Sequence, residues 1–140
     1  MRLTANLNLG GYLKKERLAE IIMIDQFSRN LFRDKPDAYY HDRLAIFLSK
    51  ELIHLKLHHK FYKNKKIFIF MPFMHSEIFE DQIISLSLYS NLGIKENFRS
   101  ALKHFNIIRK FGRFPHRNKI LNKKSTEKEL AFLTTPGSSF

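Results

Sequence analysis

Three short clusters in the 140-residue chain carry the residue types that do chemistry. The first is Asp25-Gln26-Phe27-Ser28-Arg29-Asn30, at the end of an apolar helical stretch. Asp25 with Arg29, and Gln26 with Asn30, are i,i+4 pairs, so each pair shares a helix face. They make either an intrahelical ion pair that closes a helix or the polar wall of a pocket. The second cluster, Met71-Pro72-Phe73-Met74-His75-Ser76-Glu77, joins an apolar run abruptly to an imidazole and an acid. A proline in a helical pattern kinks or ends the helix and frees backbone groups, and His75 and Glu77 stand beside it. Glu77 and Asp81 are i,i+4 acids that repel on a bare helix. An arginine or the helix N-terminus offsets that repulsion more readily than a metal, because no second set of strong ligands accompanies them. The third cluster, Phe111-Gly112-Arg113-Phe114-Pro115-His116-Arg117-Asn118, is the densest. Gly112 permits a sharp exit from a helix and Pro115 holds Phe114 extended. Arg113, His116, Arg117 and Asn118 then leave a rigid loop together. Two guanidiniums and an imidazole suit an anion such as a carboxylate, a phosphate or a nucleic-acid backbone. The alternative is that these arginines pair with Asp25, Glu77 and Asp81 and hold three helices together.

The candidate acid/base groups are therefore His75, Glu77, Asp81 and His116. The candidate ligand-binding groups are Asp25, Arg29, Asn30, Arg113, His116, Arg117 and Asn118. His54 and His58 have a metal-capable i,i+4 spacing, but Leu55 stands where a zincin glutamate would be, so they read as surface histidines of a lysine-rich stretch. No phosphate-binding glycine loop, G-x-S-x-G elbow, dinucleotide fingerprint or zinc knuckle is present. Neither a metal nor a cofactor is expected.

These clusters need helices to position them. Lys14–Leu31 has apolar residues on a 3–4 spacing with polar ones joining the stripe at its C-terminal end. Pro36–Leu57 carries a one-sided stripe of Leu44, Phe47, Leu48, Leu52 and Leu55. Lys65–Leu92 is a helical pattern interrupted by Pro72, with a new start near Ser76 and Gly93 as C-cap. Ile67–Met74 could be a buried strand by its composition, but no partner strand exists, so it is assigned to helix. Lys95–Phe111 is amphipathic and ends at Gly112. Residues 112–124 form an irregular basic loop. Thr126 and Glu129 have capping-box spacing for a short helix through Leu133, and Pro136-Gly137 suits a type II turn. The expected fold is all-α, a single domain of antiparallel helix pairs spanning residues 1–140.

Composition narrows the classes further. Lys and Arg number 25 against 13 Asp and Glu, a net charge of +12, and 44% of residues are hydrophobic, including 14 Phe. That apolar content supports a packed core rather than disorder. The absence of cysteine excludes a disulfide scaffold, a thiol nucleophile and thiolate metal sites. The longest apolar run, Ile67–Met74, is far short of the ~20 residues that cross a bilayer, and no signal peptide is evident at the start. A cytoplasmic, non-membrane protein is expected. Lys95–Lys128 alone carries eleven basic residues and two acids. A solvated lysine surface explains this better than nucleic-acid binding, since no nucleic-acid module is present.

Taken together, the motifs resemble the bacterial family catalogued as domain of unknown function 924. The resemblance rests on Asp25–Asn30, on Pro72–Glu77 with Asp81-Gln82, on His104, Ile108 and Phe111–Asn118, and on Ser125-Thr126, Glu129, Phe132-Leu133 and Pro136–Phe140. It covers about Leu18 to Phe140. It implies an all-helical, tetratricopeptide-like array and delivers no reaction. Relatives usually have proline where this chain has Ser28 and glutamate where it has Met74, so one acid is missing from the candidate site. Similar proteins also carry a Trp-rich segment before the helix containing Leu18, whereas this chain has no Trp. Either those first helices are dispensable or the chain is a truncated product, in which case uncovered apolar stripes favour self-association.

Two functions remain in play. The clusters either converge on a small anionic ligand, with hydrolytic or other acid/base chemistry, or act as structural locks in a scaffold that docks a protein partner.

Overall fold

The computed structural model describes residues 5–140, and the side chains of residues 11–140. Its helices are α1 (Ala5–Ile21), α2 (Ser28–Leu31), α3 (Asp42–His54), α4 (Lys63–His75), α5 (Phe79–Leu92), α6 (Lys95–Phe111) and α7 (Glu127–Leu133). Single 3₁₀ turns occupy Pro36–Ala38, Leu57–Lys60 and Pro115–Arg117, and a π-helical segment, Ile22–Phe27, joins α1 to α2. No strand occurs among the described residues, so the all-α expectation holds.

α4 is the central element. It packs against α1, α3, α5 and α6. Ile69, Phe70 and Met74 of α4 meet Leu18 and Ile21 of α1, Leu48 and Leu52 of α3, Tyr89 and Leu92 of α5 and Ala101 of α6 in one buried cluster. Each large apolar side chain so buried contributes about 1.5–3 kcal/mol. The Tyr89 hydroxyl enters the same core and is satisfied by donating to the Ile67 carbonyl at 2.9 Å. A smaller cluster of Ile107, Ile108 and Phe114, flanked by Phe111 and Phe132, fastens α7 to the end of α6.

Short links set the order of neighbours. α5 and α6 are separated only by Gly93 and Ile94, and Gly93 takes φ 76°, a left-handed conformation that glycine adopts without steric cost. Such links leave consecutive helices antiparallel.

The helix boundaries depart from the sequence reading in two places, and one apolar stripe is only partly buried. The first helix begins upstream of Lys14, at Ala5, and contains the π segment. Pro36 opens only a 3₁₀ turn, and α3 begins at Asp42, whose carboxylate lies in its first turn. Three of the five stripe residues are exposed: Leu48 and Leu52 are buried, while Leu44, Phe47 and Leu55 face solvent. Pro72 does not end α4, which runs to His75, in keeping with the helix expected over Ile67–Met74 and the break expected near Ser76. The terminal carbonyls explain that continuation. Gln82 Nε2 donates to the oxygens of Met74 (2.8 Å) and Ser76 (2.6 Å), and an arginine described below takes that of His75. With these acceptors satisfied by side chains, the helix end sits three residues past the proline. The Thr126–Glu129 capping box is present as expected, and Gly137 has the positive φ that its turn requires.

Candidate functional site

The site is built on the π segment. In a π turn the backbone bonds i to i+5, which widens the helix by one residue and commonly marks functional positions. Here it carries Asp25 inward, to 1% exposure. A buried carboxylate is costly unless paired and hydrogen-bonded. Asp25 Oδ1 meets His75 Nδ1 at 2.8 Å and Arg29 Nη1 at 2.9 Å, and Asp25 Oδ2 accepts from Gln26 Nε2 at 2.6 Å.

Further polar contacts close this into a ring. The Arg29 guanidinium forks onto both oxygens of Asp42 at 3.0 Å each. Asp42 Oδ2 also faces Arg117 Nη1 at 3.4 Å, and Arg117 Nη2 donates to the His75 carbonyl at 2.9 Å. The Arg117 guanidinium lies 4.4 Å from the Tyr39 ring and 4.7 Å from the Phe114 ring. His75, Asp25, Arg29, Asp42 and Arg117, drawn from α4, the π segment, α2, α3 and the 3₁₀ turn after α6, therefore form a continuous circuit. Two acids and two arginines compensate each other, so the circuit is close to neutral and strongly tied.

One side of the circuit opens to solvent. A cleft of about 480 Å³ is walled by Arg29, Asn30, Arg33, Tyr39, His75, His116 and Arg117, with Ser139 and Phe140 on its rim. This volume lies in the range of small-molecule sites. Since Nδ1 of His75 is held by Asp25, its Nε2 is the nitrogen left for a ligand. Burial pushes the His75 imidazole below its usual range, against the pull of Asp25, and Arg29 and Arg117 lower it further. Burial opposes ionisation of Asp25, but His75, Arg29 and Gln26 together hold its carboxyl below the usual range. The pair rests as carboxylate and neutral imidazole, with the Nδ1 proton donated to Asp25.

Two more imidazoles stand nearby, His104 behind the cleft and His116 in its wall. His104 Nδ1 donates to the Ser100 carbonyl at 2.7 Å, which leaves Nε2 as a buried acceptor with no partner. Its ring stands 6.0 Å from that of His75 and 3.9 Å from that of Phe140. Burial pushes His104 down to about 3. His116 is pushed down to about 4 by burial and then by Arg117 and Arg29.

The structure thus gathers Arg29, Asn30, His75, His116 and Arg117 in the cleft, with Asp25 directly beneath. Four other sequence candidates lie outside it. Arg113 pairs with Glu129 through Nε and Nη2, at 2.7 and 2.8 Å, rather than with Asp25, Glu77 or Asp81. Asn118 is buried and donates to Ser125 Oγ and Glu129 Oε2. Glu77 accepts from the Phe114 amide at 2.8 Å, and Asp81 pairs with Lys50 and accepts from Ser76. All four brace connections between elements. His54 and His58 do not share a helix, because α3 ends at His54 and Lys56 turns left-handed. His58 instead packs beside Phe70 and His59. No group of three or more metal-capable side chains occurs among the described residues. Asp42, Tyr39, Arg33 and His104 escaped the sequence reading as site residues. Asp42 gave only the ordinary signal of an acid before an apolar stripe, whereas His104 is a polar interruption in the apolar face of α6.

Residues 5–137 match the family described as "Bacterial protein of unknown function (DUF924)". The chain belongs to that family. It is also similar to a solved protein of unknown function from Agrobacterium tumefaciens, at 34% identity and a TM-score of 0.84, over 93% of this chain and 74% of that one. No curated protein matches it. In this chain Met74 packs in the core and Ser28 opens α2. No helix among the described residues is long and apolar enough to cross a membrane.

Proposed function

We propose that the cleft binds a small anionic molecule and that Asp25 and His75 act on it as an acid/base pair. The observation that carries this reading is the 2.8 Å contact between His75 Nδ1 and Asp25 Oδ1 in the wall of an open cleft that also holds Arg29, Arg33 and Arg117. A neutral imidazole oriented by a carboxylate is equipped to take a proton at Nε2, and the carboxylate then stabilises the imidazolium. Arg33 has no carboxylate partner among the described residues, so its charge is available to a ligand. Hydrolysis by a water deprotonated at Nε2 is the reaction class that fits.

A panel of carboxylates, inorganic phosphate and nucleotides, tested by thermal melt at low salt, checks the reading. Carboxylates or phosphates are expected to raise the midpoint, because a ligand stabilises the state it binds. Arg33→Ala is expected to shrink the shift, as this exposed side chain is dispensable for folding. A midpoint indifferent to every anion would overturn the proposal.

A second reading, a protein-docking scaffold, is favoured by one observation. Met23, Phe27 and Leu31 follow one another at i,i+4 spacing and are all exposed, and the exposed Leu44 and Phe47 belong to α3, which packs against the π segment. Single exposed apolar residues are ordinary, but five of them on neighbouring elements favour an interaction surface. A strictly monomeric chain at high concentration, by light scattering, would remove self-association from this reading.

A further inference from the structure

A second hollow, of about 670 Å³, adjoins the cleft, and His116 and Ser139 line both. Lys119, Lys123 and Lys124 surround it, over a floor that includes Leu130 and Leu133. None of the three lysines has a carboxylate within ion-pair distance among the described residues. Three unpaired like charges around one hollow repel each other and attract an anion.

The loop that carries them is held rigidly although it has no regular structure beyond its first turn. The Lys123 amide donates to the Asn118 carbonyl at 2.8 Å, and Arg113 Nη2 donates to the Lys124 carbonyl at 2.9 Å. Arg113 is itself clamped by Glu129, and the buried Asn118 reaches Ser125 and Glu129. Arg113, Asn118 and Glu129, which contribute nothing to the cleft, hold the backbones of Lys123 and Lys124 in place beside the hollow. Rigid placement lowers the ordering cost of binding. At the junction of the two hollows, His116 Nδ1 is buried without a partner, a polar atom that a ligand or water would satisfy.

We propose that the two hollows form one extended site for a small organic molecule that carries an anionic group at each end and an apolar stretch between them. One end meets Arg29, Arg33 and Arg117, and the other meets Lys119, Lys123 and Lys124. The apolar stretch passes His116 and lies over Leu130 and Leu133. This inference rests on the reading of the cleft as an anion site and specifies its ligand class.

The test is titration calorimetry of the full chain with a dicarboxylate series from succinate to sebacate, each compared with the monocarboxylate of equal length. The long diacids are expected to bind ~tenfold more tightly than the matching monoacids, the scale of two or three exposed charge contacts. In the Lys123→Ala/Lys124→Ala double variant, whose two side chains are exposed, long diacid and monoacid are expected to bind alike. Equal binding of diacids and monoacids by the parent chain would overturn the extended site while leaving the cleft reading intact. So would a diacid advantage that survives in the double variant. Binding of neither class, with inorganic phosphate and nucleotides also without effect, would overturn the cleft reading itself.

Discussion

His75 Nδ1 and Asp25 Oδ1 lie 2.8 Å apart although 50 residues separate them in the chain. Each partner comes from an irregular piece of helix. Asp25 belongs to the π segment, and His75 is the last residue of a helix that continues past a proline. The contact joins the two irregularities, and the remaining members of the circuit, Arg29, Asp42 and Arg117, are arranged around it.

Asp25→Asn keeps the shape of this side chain and removes its charge. His75 loses its ionic acceptor, and Arg29 keeps Asp42 and the backbone carbonyl of residue 25. Breaking a buried ion pair from one side costs about 3–5 kcal/mol when nothing else compensates. With Asp42 still present, we expect a loss of ~3 kcal/mol. Urea unfolding should show a lower midpoint at unchanged slope. A loss below about 1 kcal/mol would mean that the carboxylate is not the centre of the circuit.

Acid should weaken the fold before the carboxylates titrate. His104 and His116 are pushed down to about 3 and about 4 from an ordinary 6.5, and burial lowers His75 and His58 in the same direction. A depressed value in the folded state means that the unfolded chain binds more protons below pH 6.5. Stability is therefore complete above that pH and is lost as pH falls toward the folded values. For His104 alone the loss reaches about 2 kcal/mol at pH 5. Asp25, whose value is also lowered, adds its own loss only at more acidic pH. Urea melts at pH 7.5 and pH 5 measure the total, and His104→Gln should reduce the difference by about 2 kcal/mol. A wild-type stability flat across this range would refute the neutral, buried state of these histidines.

Glu129→Gln tests the brace of the basic loop. The carboxylate takes the Arg113 fork, the Thr126 amide of the capping box and the Asn118 amide group. Hydrogen bonds to a charged group are worth about 1.5–3 kcal/mol, and a loss of ~2 kcal/mol is expected. Hydrogen exchange at the Lys123 and Thr126 amides should accelerate more than exchange in α4. Uniform acceleration would place the effect in global stability rather than in the loop.

The fold was legible where one face of a helix is buried. The stripe of α6 and the capping box of α7 are local signals, and the structure repeats both. The helix over Ile67–Met74 was legible too, but not the side chains that satisfy its end past Pro72, because Gln82 and Arg117 come from later in the chain. The same limit governs the site. Polar clusters betrayed His75, Arg29 and Arg117, since charged residues interrupt apolar patterns there. They did not separate Arg117, which faces the cleft, from Arg113, four residues earlier, which clamps Glu129. Asp42 carried only the ordinary mark of an acid before an apolar stripe, because what singles it out is two arginines arriving from elsewhere.

The π segment has a consequence for how this chain can vary in length. A π turn holds one residue more than the α-helix on either side requires. The surplus is absorbed inside the segment, so deleting one residue within Ile22–Phe27 would restore continuous α-helix with α1 and α2 in nearly the same phase. Leu18 and Ile21 would stay against α4, and Arg29 would stay beside Asp42. What the deletion removes is the bulge that carries Asp25 inward, so this stretch could lose a residue and keep its core while losing its site.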